Sequence, residues 1–204
     1  MNRKQTIEYA KKCFKNHKAK FTQLNEYTQE IEWCIEGSST YYIRFLLNGN
    51  RVFVCGDVGD AVYTLTERAD IKKISEGYEL GYFTGKLTAS ENGKYCFDSD
   101  KAIERLKERR EEYLDDIEDE DDQEEIEEIK EAYEELISLA EECRTIEEWN
   151  YGLKDNEVYA EEIDSDWYEW MPCAGNELRQ CVIMYWVALK MAGKQLGFET
   201  KYLD

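Results

Sequence analysis

The residues able to do chemistry are few and thinly grouped. Gly56-Asp57-Val58-Gly59-Asp60 sets two carboxylates three positions apart in a turn, and Glu67 follows. Carboxylates are hard oxygen donors, so Asp57, Asp60 and Glu67 could hold Mg²⁺ for phosphoryl chemistry, the chemistry of a nuclease acting on RNA. Such a centre needs a second acidic motif on a neighbouring strand and a well-spaced lysine, and the sequence spaces neither to serve. The simpler reading is a turn whose glycines take positive φ and whose aspartates accept from turn N–H groups. The spacing fits neither a phosphate-binding Walker loop nor a dinucleotide fingerprint. His17 stands beside no recognisable Ser or Cys nucleophile and reads as an exposed residue on a basic helix. The seven cysteines (Cys13, Cys34, Cys55, Cys96, Cys143, Cys173, Cys181) are odd in number and include no C-x-x-C pair. With one histidine in the chain, a zinc site is not expected. Reduced thiols are, with Cys34 and Cys55 buried on strands. The expectation is a non-enzyme with no catalytic residue, no metal and no cofactor.

The strongest signal is acidic. Glu111, Glu112, Asp115, Asp116, Glu118, Asp119, Glu120, Asp121, Asp122, Glu124, Glu125 and Glu128 belong to a run of thirteen carboxylates between positions 111 and 128. As one helix this run is about 27 Å long. A DNA duplex of that length carries about 16 phosphates, so the line charges are comparable. A rigid helix of this kind would fit a basic nucleic-acid channel on another protein. The same run also reads as a solvated face kept for solubility.

These signals sit in a chain of 204 residues with 46 acidic and 26 basic side chains, a formal charge of −20. That charge argues against binding nucleic acid or an anionic membrane through the bulk surface, and favours a basic partner. Residues 1–100 hold 14 bases and 14 acids, so the whole excess lies in residues 101–204. Residues 1–20 are the opposite, with seven Lys or Arg against Glu8 alone. Direct contact with nucleic acid is expected, if anywhere, at this basic N-terminal helix. The 15 Tyr, 7 Phe and 5 Trp are too many for a disordered acidic tail. The N-terminus shows no signal-peptide core, and the apolar run Cys181–Leu189 is about half the length that spans a bilayer. A cytoplasmic protein without a membrane partner is expected.

Elements must position these groups. Thr6–Lys20 has Ile7, Ala10 and Phe14 at helical spacing. Glu30–Glu36, Thr40–Leu47 and Arg51–Cys55 alternate with period two, and Asn48-Gly49-Asn50 is a turn signal. Ala61–Thr66 is a further strand or the approach to a helix. This predicts an α+β fold over residues 1–97: a helix on an antiparallel meander of three or four strands. Leu80–Leu87 reads as a short helix. From residue 98 to 204 an acidic helical region packing back on the first is predicted. Asp98, Ser99 or Asp100 caps its first helix. Ile103, Leu106, Tyr113 and Ile117 make one apolar seam, and Ile126, Ile129, Tyr133, Leu136 and Ala140 another. With Glu118–Asp122 as a loop they form a hairpin; without it, one long helix. Thr145 and Glu148 have capping-box spacing. Trp167, Tyr168 and Trp170 either anchor a partner or dock the acidic segment on the core. Asn176–Leu196 reads as a final helix, apolar on nearly all sides and therefore buried.

Two stretches carry a resemblance. One is Ser39-Thr40-Tyr41-Tyr42-Ile43-Arg44-Phe45 with Gly49-Asn50 and Gly56–Tyr63. The other is Trp167-Tyr168-Glu169-Trp170 with Arg179-Gln180-Cys181-Val182-Ile183 and Leu189-Lys190-Met191-Ala192. Both resemble a family of phage and prophage proteins of Gram-positive bacteria that is largely uncharacterised, and the likeness spans most of the chain. It implies a phage early or accessory protein acting in the host cytoplasm, and small acidic proteins of such elements include anti-CRISPR and other anti-defence inhibitors. The function expected on this basis is inhibition of a host nucleic-acid-binding defence protein, a CRISPR effector nuclease foremost, by an acidic surface that mimics nucleic acid. The alternatives are the metal-dependent nuclease above and a non-enzymatic structural or accessory phage protein.

Overall fold

The period-two runs form strands, and their sheet is larger than three or four. The structure, a computed structural model, describes residues 3–116 and 123–203. The chain falls into two units, Met1–Lys94 with Leu178–Asp204, and Tyr95–Glu177.

In the first unit, α1 (Arg3–Cys13) leads into β1 (Lys18–Asn25), β2 (Thr28–Cys34), β3 (Ile43–Asn48), β4 (Arg51–Gly56) and β5 (Ala61–Thr64). Then come α2 (Ile71–Gly77), α3 (Leu80–Gly85) and β6 (Leu87–Ser90). The six strands pair antiparallel in chain order. Side chains alternate across a strand, so register sorts the residues by face. The row Ile31, Phe45, Val54, Ala61 lies on the core face. The row Glu30, Leu46, Phe53, Val62, Ala89 lies on the other. The helix predicted over Thr6–Lys20 is shorter. The His17 N–H closes on the Phe14 carbonyl at 3.0 Å, Phe14 enters the core, and Lys18–Lys20 begin β1. His17 is correspondingly buried rather than exposed. Of the two strand thiols, both on the outward face of the sheet, Cys34 is buried and Cys55 is exposed. β3 starts at Ile43 rather than Thr40, since Tyr41 adopts a left-handed φ of 52°.

In the second unit, β7 (Tyr95–Phe97) precedes α4 (Ser99–Asp116) and α5 (Gln123–Glu142). After them come α6 (Ile146–Asp155), α7 (Glu157–Ile163), α8 (Trp167–Trp170) and a 3₁₀ turn at Met171–Cys173 that holds Pro172. β8 (Asn176–Leu178) pairs with β7. Ala102 and Leu106 of α4 pack with Ile129, Tyr133, Leu136 and Ala140 of α5, so α4 and α5 are two helices side by side and not one. Arg110 of α4 pairs with Glu134 of α5. Asp98 caps α4, its Oδ1 accepting from the Lys101 N–H at 3.2 Å. The capping box of α6 is complete: the Glu148 N–H donates to Thr145 Oγ1 and the Thr145 N–H to Glu148 Oε2, each at 3.1 Å. Trp149 and Trp167 lie in this core, and the Trp149 indole donates to the Met171 carbonyl at 2.8 Å.

The final helix, α9 (Gln180–Gln195), is four residues shorter at its start than the predicted Asn176–Leu196, because Asn176–Leu178 pair as a strand with β7. It belongs to the first unit, where a division at 97/98 would have left it with the acidic region. Val182 through Lys190 are all buried, as a helix apolar on every side requires. Among the described residues no helix is long and apolar enough to cross a membrane.

Candidate partner-binding face

Separating the chain by unit sharpens the charge. The first unit holds 18 bases and 14 acids, and the second 8 bases and 32 acids. The carboxylates lie on helices because the tract is rich in Glu, a good helix former, with Leu, Ile and Tyr at seam positions. Glu111, Glu112 and Asp115 are exposed in the last turns of α4, and Asp116 is its final residue. Glu124, Glu125 and Glu128 lie in the first turns of α5, with Glu128 exposed. Glu118, Asp119, Glu120, Asp121 and Asp122 fall outside the described residues. The 111–128 run is therefore divided between two paired helices, and a single 27 Å rod does not describe it. The structure brings the helical members to one end of the α4–α5 pair, where α4 ends and α5 begins.

Further along α5, Glu128, Glu131, Glu135 and Glu142 recur at three, four and seven residues and are all exposed. That spacing lays them on one face of a helix about 30 Å long. α5 holds nine acids against Lys130, which pairs with Glu127 at 3.0 Å. α4 is segregated: its bases are Lys101, Arg105, Lys107, Arg109 and Arg110, and its acids concentrate after them. This order opposes the helix dipole, which favours acids at the N-terminus and bases at the C-terminus by about 0.3–1 kcal/mol each. Helix stability does not explain it.

The aromatic group predicted as an anchor or a dock divides. Trp167 is in the core, Tyr168 is 60% exposed, and Trp170 lies beneath the guanidinium groups of Arg105 and Arg109, at 5.7 and 5.2 Å from the ring centre. The Trp170 indole donates to Asp164 Oδ2 at 2.8 Å. With Arg109, Glu112, Tyr113, Tyr133 and Ile163, these two residues line a cavity of about 270 Å³. Burial pushes the Tyr133 hydroxyl up to about 12, so it stays protonated there. The Arg105–Arg109–Trp170 stack escaped the sequence reading. Its one signal is the four-residue spacing of the arginines, and the tryptophan lies more than sixty residues downstream.

Of the three carboxylates considered for a metal, Asp57 and Glu67 have other partners. Asp57 Oδ2 accepts the Tyr41 N–H at 2.7 Å and so holds the left-handed residue. Glu67 pairs with Lys73 and accepts from the Tyr78 hydroxyl at 3.3 Å. Gly56 and Gly59 have φ of 143° and 114°, and a Cβ on Gly56 would stand 2.2 Å from the Tyr42 carbonyl oxygen. Asp60 is exposed at the start of β5. Among the described residues no three His, Cys, Asp or Glu side chains are grouped to hold a metal ion. Compared with known proteins, the chain matches no family model, no curated protein and no solved structure.

Proposed function

We propose that this chain is a phage-encoded, cytoplasmic inhibitor of a host nucleic-acid-binding defence protein, with a CRISPR effector nuclease as the leading target, and that it acts without catalysis. The observation that carries the reading is charge segregation: 32 of the 46 acids belong to a unit with its own core, against 8 bases. The exposed carboxylates of α4 and α5 would meet the lysines and arginines that normally track a phosphate backbone. The acids late in α4 support the reading, because the helix dipole alone would favour them at the opposite end. The phage assignment rests on the sequence resemblance.

The test is competition. Purified protein is titrated against candidate effectors carrying labelled DNA or guide RNA, and displacement is followed by anisotropy. Displacement that weakens steeply with added salt is expected. Replacing Asp115, Asp116, Asp119 and Glu120 together by lysine should abolish it. Inhibition that survives this reversal would sink the mimicry mechanism.

A further inference from the structure

The outward face of the first unit's sheet holds a groove lined by residues of β4, β5 and β6. α1, α2, α3 and α9 all contribute to the core on the other face. Across β4, β5 and β6 the register aligns Phe53, Val62 and Ala89, and Cys55 follows two residues after Phe53 on the same face. With Asp60 and Glu91 these residues line a cavity of about 530 Å³, within the roughly 300–1,000 Å³ of ligand clefts. The Glu91 N–H donates to the Asp60 carbonyl at 3.1 Å, which sets these two exposed acidic residues opposite each other at one end of the apolar floor. Among the described residues no lysine or arginine lines the groove. Arg44, opposite Cys55 on β3, is held by Glu30 at 3.0 Å and Glu32 at 3.8 Å. The groove thus pairs an apolar floor with two uncompensated negative charges, in a unit that otherwise carries more bases than acids.

We infer that this groove docks a segment of a partner protein in which an apolar side chain stands beside a lysine or arginine. The apolar side chain covers Phe53 and Val62, and the cation reaches Asp60 and Glu91. This site is built wholly from first-unit residues and does not rest on the mimicry proposed for α4 and α5.

Cys55 is an exposed thiol on the floor and reports on occupancy, while exposed Cys173 of the second unit serves as an internal reference. In the full chain, the two thiols are labelled with a cationic or an anionic methanethiosulfonate and followed by peptide mass spectrometry. Compared with the same thiol in an Asp60→Asn/Glu91→Gln variant, Cys55 should favour the cationic reagent by roughly tenfold, while the ratio at Cys173 stays unchanged. A synthetic peptide of alternating leucine and lysine should then protect Cys55 from iodoacetamide in the wild type. Protection should be lost in that variant and in Ala89→Trp, which fills the floor. Equal protection in the wild type and in both variants would reduce the effect to attraction by the net charge and overturn the proposal, as would no protection at all. Protection that persists after lysine reversal on α4 would separate this site from the acidic face.

Discussion

His17 shows how burial rewrites a side chain's chemistry. Its Nε2–H donates to the Tyr41 carbonyl at 3.2 Å, its ring stacks on Trp33, and Nδ1 has no partner among the described residues. Burial holds its pKa below the ordinary value, against the pull of the Tyr41 and Thr40 carbonyls. The folded chain therefore resists a proton that the unfolded chain accepts near pH 6.5. Stability from this site is full above that pH and is lost as pH falls. His17→Gln keeps a donor for the carbonyl but cannot titrate. Its melting temperature should fall less than that of the wild type between about pH 7.5 and about pH 5.5, as read by circular dichroism; equal falls would mean that His17 is charged in the fold. Asp57 makes a second residue-scale case. Its carboxylate holds the Tyr41 N–H, so Asp57→Ala should cost about 1 kcal/mol. That cost should be the same with and without Mg²⁺ in denaturant titrations, whereas a metal ligand would show a Mg²⁺-dependent difference. Lys190 is the third. It is buried on α9, donates to the Ser75 carbonyl at 2.7 Å and pairs with no carboxylate among the described residues, and burial lowers it to about 8.

At the scale of elements, the fold depends on a few close approaches. Asp70 Oδ1 accepts the Lys72 N–H at 2.9 Å to start α2, while Gln29 of β2 accepts the Ile71 N–H at 3.0 Å and ties that helix end to the sheet. α2 and α9 meet where Gly193 faces Ser75: a Cβ there would stand 1.8 Å from Ser75 Oγ. Gly193→Ala should destabilise the chain by about 1–3 kcal/mol, the usual cost of overpacking. Thr145→Ala removes one half of a complete capping box and should cost about 1 kcal/mol. Chemical denaturation measures both, and a neutral Gly193→Ala would mean that α2 slides without cost. The capping box was readable from spacing alone, since a cap is a local motif. So were Ile103, Leu106 and Tyr113 of the α4 seam and Ile129, Tyr133, Leu136 and Ala140 of the α5 seam, which need only helical periodicity; Ile117 falls outside the described residues and Ile126 outside the packed cluster. β1 was not readable, because Lys18-Ala19-Lys20 continues a helical charge pattern and only pairing with Trp33 and Ile31 makes it extended. β7 and β8 are three residues each and separated by more than seventy, so no local signal announces them.

At the scale of the molecule, charge and packing follow different divisions. Residue number splits the charge at the middle of the chain, but the structure assigns α9 to the first unit and leaves the second with 32 acids and 8 bases. Screening acts on exposed charges over about 8–10 Å. Lysine reversal at Glu128, Glu131, Glu135 and Glu142 should therefore leave the fold intact and raise stability most at low salt, because it relieves repulsion along α5. Thermal melts over a salt series measure this. If stability falls equally at every salt concentration, those carboxylates make contacts beyond mutual repulsion.

The sequence by itself determined the α+β class, the strand periodicity, the helix seams and the location of the negative charge. These depend on side-chain type and on periods of two and 3.6, which local order carries. The tertiary structure alone decided that His17 is buried, that α4 and α5 lie side by side, that Arg105 and Arg109 cover Trp170, and that Asp60 and Glu91 flank an apolar floor. Each joins groups far apart in the chain or turns a side chain toward a core, and only packing sets those distances.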